Sequence, residues 1–362
     1  MEQRPQRLGA LRASLAESGF DALLVTSLPN IRYLTGFSGS NALLVVSSES
    51  RPVLLTDSRY AVQAGDEVGD QAHVRIEPSS LWAGLRETIT AIAGGSRLAF
   101  ESSHLRYEDF ERLGDLAGRW YWRGSIGLVE SLREQKDPGE LLLIREAVRI
   151  AESALERTLG EIRTGLTERQ VAGILEHHLR DLGSEGTPFE TIVAAGERSA
   201  LPHAQASTRE LRAGEFLLID FGARFEGYCS DITRTFALRS VNAEMQDVHA
   251  IVREANATAS GGVRAGMRGR DADFLARSYI ERMGHGDAFG HSLGHGIGLE
   301  VHEGPRLART ADAPLPVGAV VTIEPGIYRP GWGGVRIEDD VHLTSEGPEL
   351  LTKFPRELMV IG

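Results

Sequence analysis

Apolar residues in the first third of the chain come in short runs separated by turn residues. Asp21–Ser27 (DALLVTS), Asn41–Ser47 (NALLVVS), Pro52–Asp57 (PVLLTD) and Arg97–Ser102 (RLAFES) are such runs, and the pattern predicts strands. Between and around them, Gln6–Ser18, Ser80–Ala93 and Arg106–Ala117 place apolar residues at helical spacing. The mixture predicts an α/β domain. It shows no Gly-rich phosphate loop and few candidate catalytic residues, so an accessory role is expected.

After a boundary near Gly124–Asp137 the pattern becomes helix, helix, hairpin. Asp137-Pro138-Gly139-Glu140 combines a capping Asp, Pro at the first helical position and Glu three residues after the cap. Ile144, Ala147, Ala151, Ala154 and Leu155 then mark one face. Thr167-Glu168-Arg169-Gln170 is a second capping box, with Val171, Ile174, Leu175 and Leu179 on the buried side. Two strand-like runs about a short turn fill Glu215–Leu238. The order then recurs: Asn242 caps a helix carrying Met245, Val248, Ile251 and Ala255, a further helix lies near Arg270–Met283, and two more strand runs fill Val320–Leu343. Ile162–Leu166 (IRTGL) and Val263–Met267 (VRAGM) match at corresponding places. The expectation is an α+β domain over residues 135–362, built twice from two helices and an antiparallel hairpin. A smaller α/β domain over 1–125 and a linker over 126–134 precede it.

Composition narrows the function. The 362 residues suffice for two domains. A formal charge of −12 argues against a nucleic-acid partner, which needs a basic surface. No apolar run approaches the roughly 20 residues that span a bilayer. Met1–Phe20 carries three Arg and two Glu and reads as an amphipathic helix, not a signal peptide. A cytoplasmic protein without a membrane partner is expected. The single cysteine, Cys229, permits no internal disulfide and no thiolate metal cage, and is expected to be structural. The pair His177-His178 reads as a surface feature.

Asp220 and Asp231 interrupt apolar strand runs, where ionised carboxylates are costly unless paired or bound to metal. A tight turn at Phe225-Glu226 would set Asp220 directly opposite Asp231, with Cβ atoms about 5 Å apart. A divalent cation would relieve the repulsion. In the second hairpin Glu324 follows VVTI and Glu338 follows VRI, around the loop Pro330–Gly334. Two divalent ions would balance the four carboxylates, with a neutral histidine as a further ligand. His291, His295 and His302 lie in Gly290–Gly304, whose glycines let backbone approach a site closely. His203, in ALPHAQAS, is a weaker candidate from the residues alone. Gly294–Gly298 superficially has the look of a nucleotide loop, but Leu299 stands at the third glycine, and there is no H-E-x-x-H zinc helix.

At these residues the sequence resembles the pita-bread metallopeptidases: methionine aminopeptidase, aminopeptidase P and prolidase. The motifs are LLIDFG, SDITRTF, SLGHGIGLEVHE, TIEPGIY and RIEDD, and the resemblance covers essentially residues 135–362. It implies a pita-bread fold and a dinuclear ligand set of Asp220, Asp231, His295, Glu324 and Glu338. Creatinase shares the fold without these ligands, so their presence argues against a metal-independent hydrolase and against a non-catalytic peptide-binding module. Ser27–Val46 resembles the creatinase/prolidase N-terminal domain, which methionine aminopeptidase lacks, and this points to the Xaa-Pro branch. His203, His291, His302 and Arg336 match positions that in that branch bind substrate, assist the tetrahedral intermediate or support a metal ligand. Glu324 is the candidate proton shuttle. His302-Glu-Gly-Pro-Arg306 resembles the prolidase pattern whose Arg meets the dipeptide carboxylate, although related aminopeptidases carry similar loops. The implied function is an Xaa-Pro dipeptidase, with an Xaa-Pro aminopeptidase on longer peptides as the alternative. The implied substrate is a small peptide with proline second. Oxygen-rich ligation suits Mn2+ or Co2+, with Zn2+ also able to occupy such a site. The family usually forms homodimers.

Overall fold

The computed structural model describes residues 3–362 apart from Ala93, Ala117 and Arg119, and not the Ile92 side chain. The helix ends expected at Ala93 and Ala117, and Met1 of the expected N-terminal helix, lie outside the described residues. The chain divides into two compact units, Met1–Arg133 and Glu134–Gly362.

The first unit is a six-stranded sheet with helices, in the order His73–Glu77, Val53–Asp57, Ala42–Ser47, Ala22–Val25, Arg97–Glu101, Tyr121–Ser125. The four central strands are the four apolar runs of the sequence. They are buried on both faces, which is why they read as continuous apolar segments. Both edge strands are only partly buried and mix polar with apolar residues, so no apolar run announced them. Helices at Leu28–Thr35 and Ala61–Val68 were likewise not expected. Buried Glu101 accepts from the Thr26 and Ser27 amides at 2.6 and 2.8 Å and from Asn30 Nδ2 at 2.6 Å. Glu101 therefore ties the segment that enters the Leu28–Thr35 helix to the sheet, a structural use of a buried acid.

The second unit carries the duplication. Both capping boxes form, at Asp137/Glu140 and Thr167/Gln170, and start the helices Pro138–Leu159 and Glu168–Asp181. The second pair of helices spans Ala243–Gly262, capped by Asn242, and Gly269–Arg282. Of the expected core positions, Ile174 and Ile251 are only half-buried. Each helix pair is closed by the same motif. The Gly165 amide donates to Leu211 O at 3.0 Å and Leu211 returns a bond to Leu166 at 2.8 Å. In the second copy Gly266 donates to Leu315 O at 2.7 Å and Leu315 returns one to Met267 at 2.8 Å.

Each half contributes a sheet. One runs Val360–Ile361, Ile232–Leu238, Phe216–Phe221, Ile192–Ala195; the other runs Glu303–Leu307, Gly294–Gly296, Val320–Ile323, Asp339–Leu343, Pro348–Leu350. Each packs its own helix pair into a separate apolar core. The sheets meet where the Glu338 amide donates to Thr233 O at 3.1 Å and the Thr235 hydroxyl donates to Arg336 O at 3.0 Å. The fold is the α+β pita-bread arrangement that the sequence implied.

The register of the first hairpin differs from the expected one. Phe225 pairs with Tyr228, so the turn residues are Glu226 and Gly227, with φ of 47° and 79°. Two successive residues of positive φ match the twist of a two-residue hairpin. Asp220 is consequently opposite Thr233, not Asp231. The shift is two residues, an even number, so both aspartates still point to the same face.

Candidate metal centre

In the second hairpin, Ile323 pairs with Asp339 and Gly326 with Arg336, which by continuity puts Glu324 directly across from Glu338. In the first, Asp231 lies diagonally from Asp220, within reach for side chains on one face. The sheet junction brings the sets together: donor atoms of Asp231, His295 and Glu338 all lie within 4.8 Å of one another. His295 Nε2 is 3.5 Å from Glu324 Oε1 and 3.8 Å from Asp231 Oδ2.

Burial and mutual repulsion act strongly on these acids. Burial first, then Glu338, Asp220, Asp340 and Glu324, pushes Asp231 well above the usual carboxylate range. Burial, then Glu324 and Asp220, does the same to Glu338. Glu324 is pushed up to about 8, mainly by burial, with Arg336 opposing the rise. Oδ1 of Asp220 and Oδ1 of Asp231 are buried and have no hydrogen-bond partner among the described residues. Orphaned carboxylate oxygens among mutually repelling acids are what a cation would satisfy, so the residues fit divalent ions.

His295 is prepared for the same task. Its Nδ1 sits 3.1 Å from the Gly296 carbonyl, which can only accept, so Nδ1 carries the hydrogen and Nε2 presents a lone pair to the carboxylates. Burial lowers its pKa to about 4, which keeps the ring neutral. Its strand is made of glycines for a steric reason: a Cβ on Gly294 would lie 1.9 Å from Thr322 O, and one on Gly296 1.8 Å from Gly304 O.

Arg336 forms one wall. Its fully buried guanidinium donates to Asp220 Oδ2, to the Thr233 hydroxyl at 3.0 Å, to Tyr328 Oη at 2.9 Å and to the Pro202 carbonyl at 3.3 Å. Burial pushes Tyr328 up to about 12, so it keeps its proton and donates to His291 Nε2 at 2.9 Å. His291 Nδ1 in turn faces the Ser292 carbonyl at 2.8 Å, so both ring nitrogens are engaged. His302, His203 and Arg306 are exposed. The His302 ring centre is 4.2 Å from that of His295, and Arg306 is the strand partner of His295. Asp220, His203 and Arg306 are the electrostatic neighbours of His302.

With this geometry in place, residues 143–345 match metallopeptidase family M24 and residues 7–135 match the creatinase/prolidase N-terminal domain. The chain belongs to metallopeptidase family M24. It is 36% identical over 344 residues to the Xaa-Pro dipeptidase of Pyrococcus horikoshii, covering 95% of each chain. The solved structure of an Xaa-Pro dipeptidase from Bacillus anthracis is 40% identical, covers 99% of this chain and 100% of its own, and superposes with a TM-score of 0.95. That of an X-Pro aminopeptidase from Thermotoga maritima is also 40% identical, covers 98% and 99%, and gives 0.90. The chain is therefore a peptidase of the M24 family, with a group of side chains fit for metal.

Several residues in this M24 site had no expected role. Thr233 donates its hydroxyl to Glu338 Oε2 at 2.6 Å. Asp340 accepts the Asp231 amide at 3.1 Å. The buried Asp273–Arg277 pair, 2.6 and 2.7 Å, carries the His291 loop, because Arg277 donates to the Phe289 and His291 carbonyls at 2.9 and 2.7 Å. Tyr328 and Asp340 stand inside TIEPGIY and RIEDD. A second acid beside Asp339 in a buried strand was a readable signal, as was an Asp and Arg four apart on one helix. Cys229 is buried, and burial pushes its thiol up to about 11, in keeping with a structural role.

Proposed function

We propose that the chain hydrolyses the Xaa-Pro bond of small peptides, as an Xaa-Pro dipeptidase, with Asp220, Asp231, His295, Glu324 and Glu338 as ligands to two divalent ions. The observation that carries this reading is the convergence of Asp231, His295 and Glu338 beside aspartate oxygens that lack a partner. Asp231 and Glu338 are electrostatic neighbours of both Asp220 and Glu324, which supports reading the four acids as one cluster. When bound, the ions would lower the pKa of a water and polarise the scissile carbonyl.

The chain's own groups do the rest. Glu324 takes up the proton that the attacking water gives up and delivers it to the departing proline nitrogen, which, as the nitrogen of a tertiary amide, has no proton of its own. His302, at the rim beside His295, stabilises the charge that develops on the carbonyl oxygen. His203 borders the leaving-group pocket, and His291, its nitrogens engaged, walls it. Arg336 orients Asp220. Arg306, across the strand pair from His295, meets the terminal carboxylate of the dipeptide in bidentate fashion. Oxygen-rich ligation supports Mn2+ or Co2+ ahead of Zn2+. The family resemblance supports a homodimer. Among the described residues, no helix is long and apolar enough to cross a membrane.

The test is hydrolysis of an Xaa-Pro dipeptide and an Xaa-Pro-Yaa tripeptide by protein loaded in turn with Mn2+, Co2+ and Zn2+. Metal-dependent cleavage of the dipeptide alone is expected. Rapid cleavage of the tripeptide would replace the dipeptidase with an aminopeptidase, a reading favoured by the similarity to the Thermotoga maritima structure. Failure on both substrates with every metal would sink the reading.

A further inference from the structure

One buried ion pair plays no part in the chemistry above. Lys136 Nζ donates to Glu303 Oε1 at 2.7 Å, and the two side chains are only 1% and 6% exposed. A buried ammonium is costly unless paired, and breaking such a pair by removing one partner leaves an uncompensated charge. Buried pairs therefore act well as registry devices. The registry here concerns one residue, because Glu303 directly follows His302.

Both ends of the pair are anchored. The Lys136 amide donates to Gly318 O at 3.0 Å, just ahead of the Val320–Ile323 strand that leads to Glu324. The Glu303 side closes a turn on itself: the Gly298 amide donates to Glu300 O at 3.0 Å, and the Glu300 amide faces Glu303 Oε2 at 3.4 Å. A Cβ on Gly298 would lie 2.5 Å from Glu303 Oε1, so the turn is tight around that carboxylate. At its tip the exposed His302 ring lies over His295, centre to centre 4.2 Å, tilted by 59°.

We propose that the Lys136–Glu303 pair sets His302 over His295, which makes Lys136 a positioning residue for the peptidase reaction. This rests on the reading of His302 as a group that faces the substrate. The pair fixes the turn, and the turn fixes the distance between the imidazole at the rim and the carboxylate cluster below it.

The experiment compares Lys136→Met, His302→Ala and the double variant in the full metal-loaded chain. It also follows the His302 ring resonance in metal-free protein by NMR, assigned through its loss in His302→Ala. Lys136→Met is expected to lower kcat by about tenfold or more with KM within about threefold of the parent. The double variant is expected to be no slower than His302→Ala, because the two changes act through one group. The His302 resonance should move in Lys136→Met as the ring leaves its neighbour. Where Lys136→Met fails to fold, Glu303→Gln, which keeps the hydrogen bond and drops the charge, is read by the same measurements. A parental kcat in the folded variant, a double loss equal to the product of the single losses, or an unmoved resonance would each overturn the inference. The resonance stands apart from catalysis: an inactive parent with a shifted His302 signal would defeat the Xaa-Pro reading and leave the positioning role supported.

Discussion

The two hairpins of the catalytic unit have matching strands and different registers at the same place. In the second, Glu324 looks straight across at Glu338, and two residues nearer the turn Gly326 faces Arg336. In the first, Asp220 looks across at Thr233, and two residues nearer the turn Gly222 faces Asp231 by continuity of the ladder. Arg336 thus occupies in one copy the position that Asp231 occupies in the other. Duplication supplied the frame, and divergence at this matched position gave one copy an acid and the other a buried cation. The cation reaches back across the junction to Asp220 and Thr233. A cluster of acids alone would repel itself apart without metal; the guanidinium ties the two halves together.

The largest break in this comparison comes from the acid. Asp231→Ala removes the group that neighbours every other carboxylate, and activity is expected to fall by about 1,000-fold or more, together with bound metal. Peptide hydrolysis and elemental analysis of the same preparation check it; an active variant free of metal would be fatal to the site. Next comes the matched cation. Arg336→Met leaves Asp220 buried without its partner, at a cost of about 3–5 kcal/mol in urea unfolding, and adding Asp220→Asn should recover part of that loss. Recovery of nothing would mean that the pair does not join the hairpins.

Metal removal sharpens the contrast through pH. Burial raises Glu324 from 4.5 to about 8 and raises Asp231 and Glu338 as well. Between those limits the folded, metal-free protein binds protons that the unfolded chain has released. The associated stability is complete below about pH 4.5 and is lost as pH rises towards about 8. The melting temperature of chelator-treated protein should fall across that window, and added Mn2+ should raise it most at the alkaline end. A flat profile would show that these acids are already compensated by the chain.

The sequence made the frame legible because duplication repeats local signals. Capping boxes at Asp137 and Thr167, paired IRTGL and VRAGM turns, and acids inside apolar strands each have a local cause. The register was not legible in the same way. It hangs on whether the turn falls at Phe225-Glu226 or Glu226-Gly227, and only the positive φ that Gly227 adopts in the folded hairpin decides it. The Thr233 hydroxyl, which supports the site from across the junction, was also hidden. Its partners Glu338 and Arg336 lie about a hundred residues away, and no spacing rule connects them. Edge strands of the first unit escaped for the opposite reason, since solvent on one side breaks up the apolar run.

The smallest expected effect tests whether the two hairpins hold their glutamates equally well. Thr233 donates to Glu338 at 2.6 Å and also accepts from Arg336 at 3.0 Å, so its hydroxyl is both a ligand support and a link between halves. Thr322 donates to Glu324 only at 3.4 Å, a long contact, and otherwise accepts the His295 amide at 3.1 Å. Valine has the shape of threonine without the hydroxyl, so each substitution removes the bonds and little else. Thr233→Val should cost about 1–2 kcal/mol in unfolding and about tenfold in kcat, because a buried bond to a charged group is lost. Thr322→Val should cost about half as much in stability on the same scale. Equal losses would mean that support is shared evenly, and a larger loss at Thr322 would place the more tightly held glutamate in Glu324 instead of Glu338.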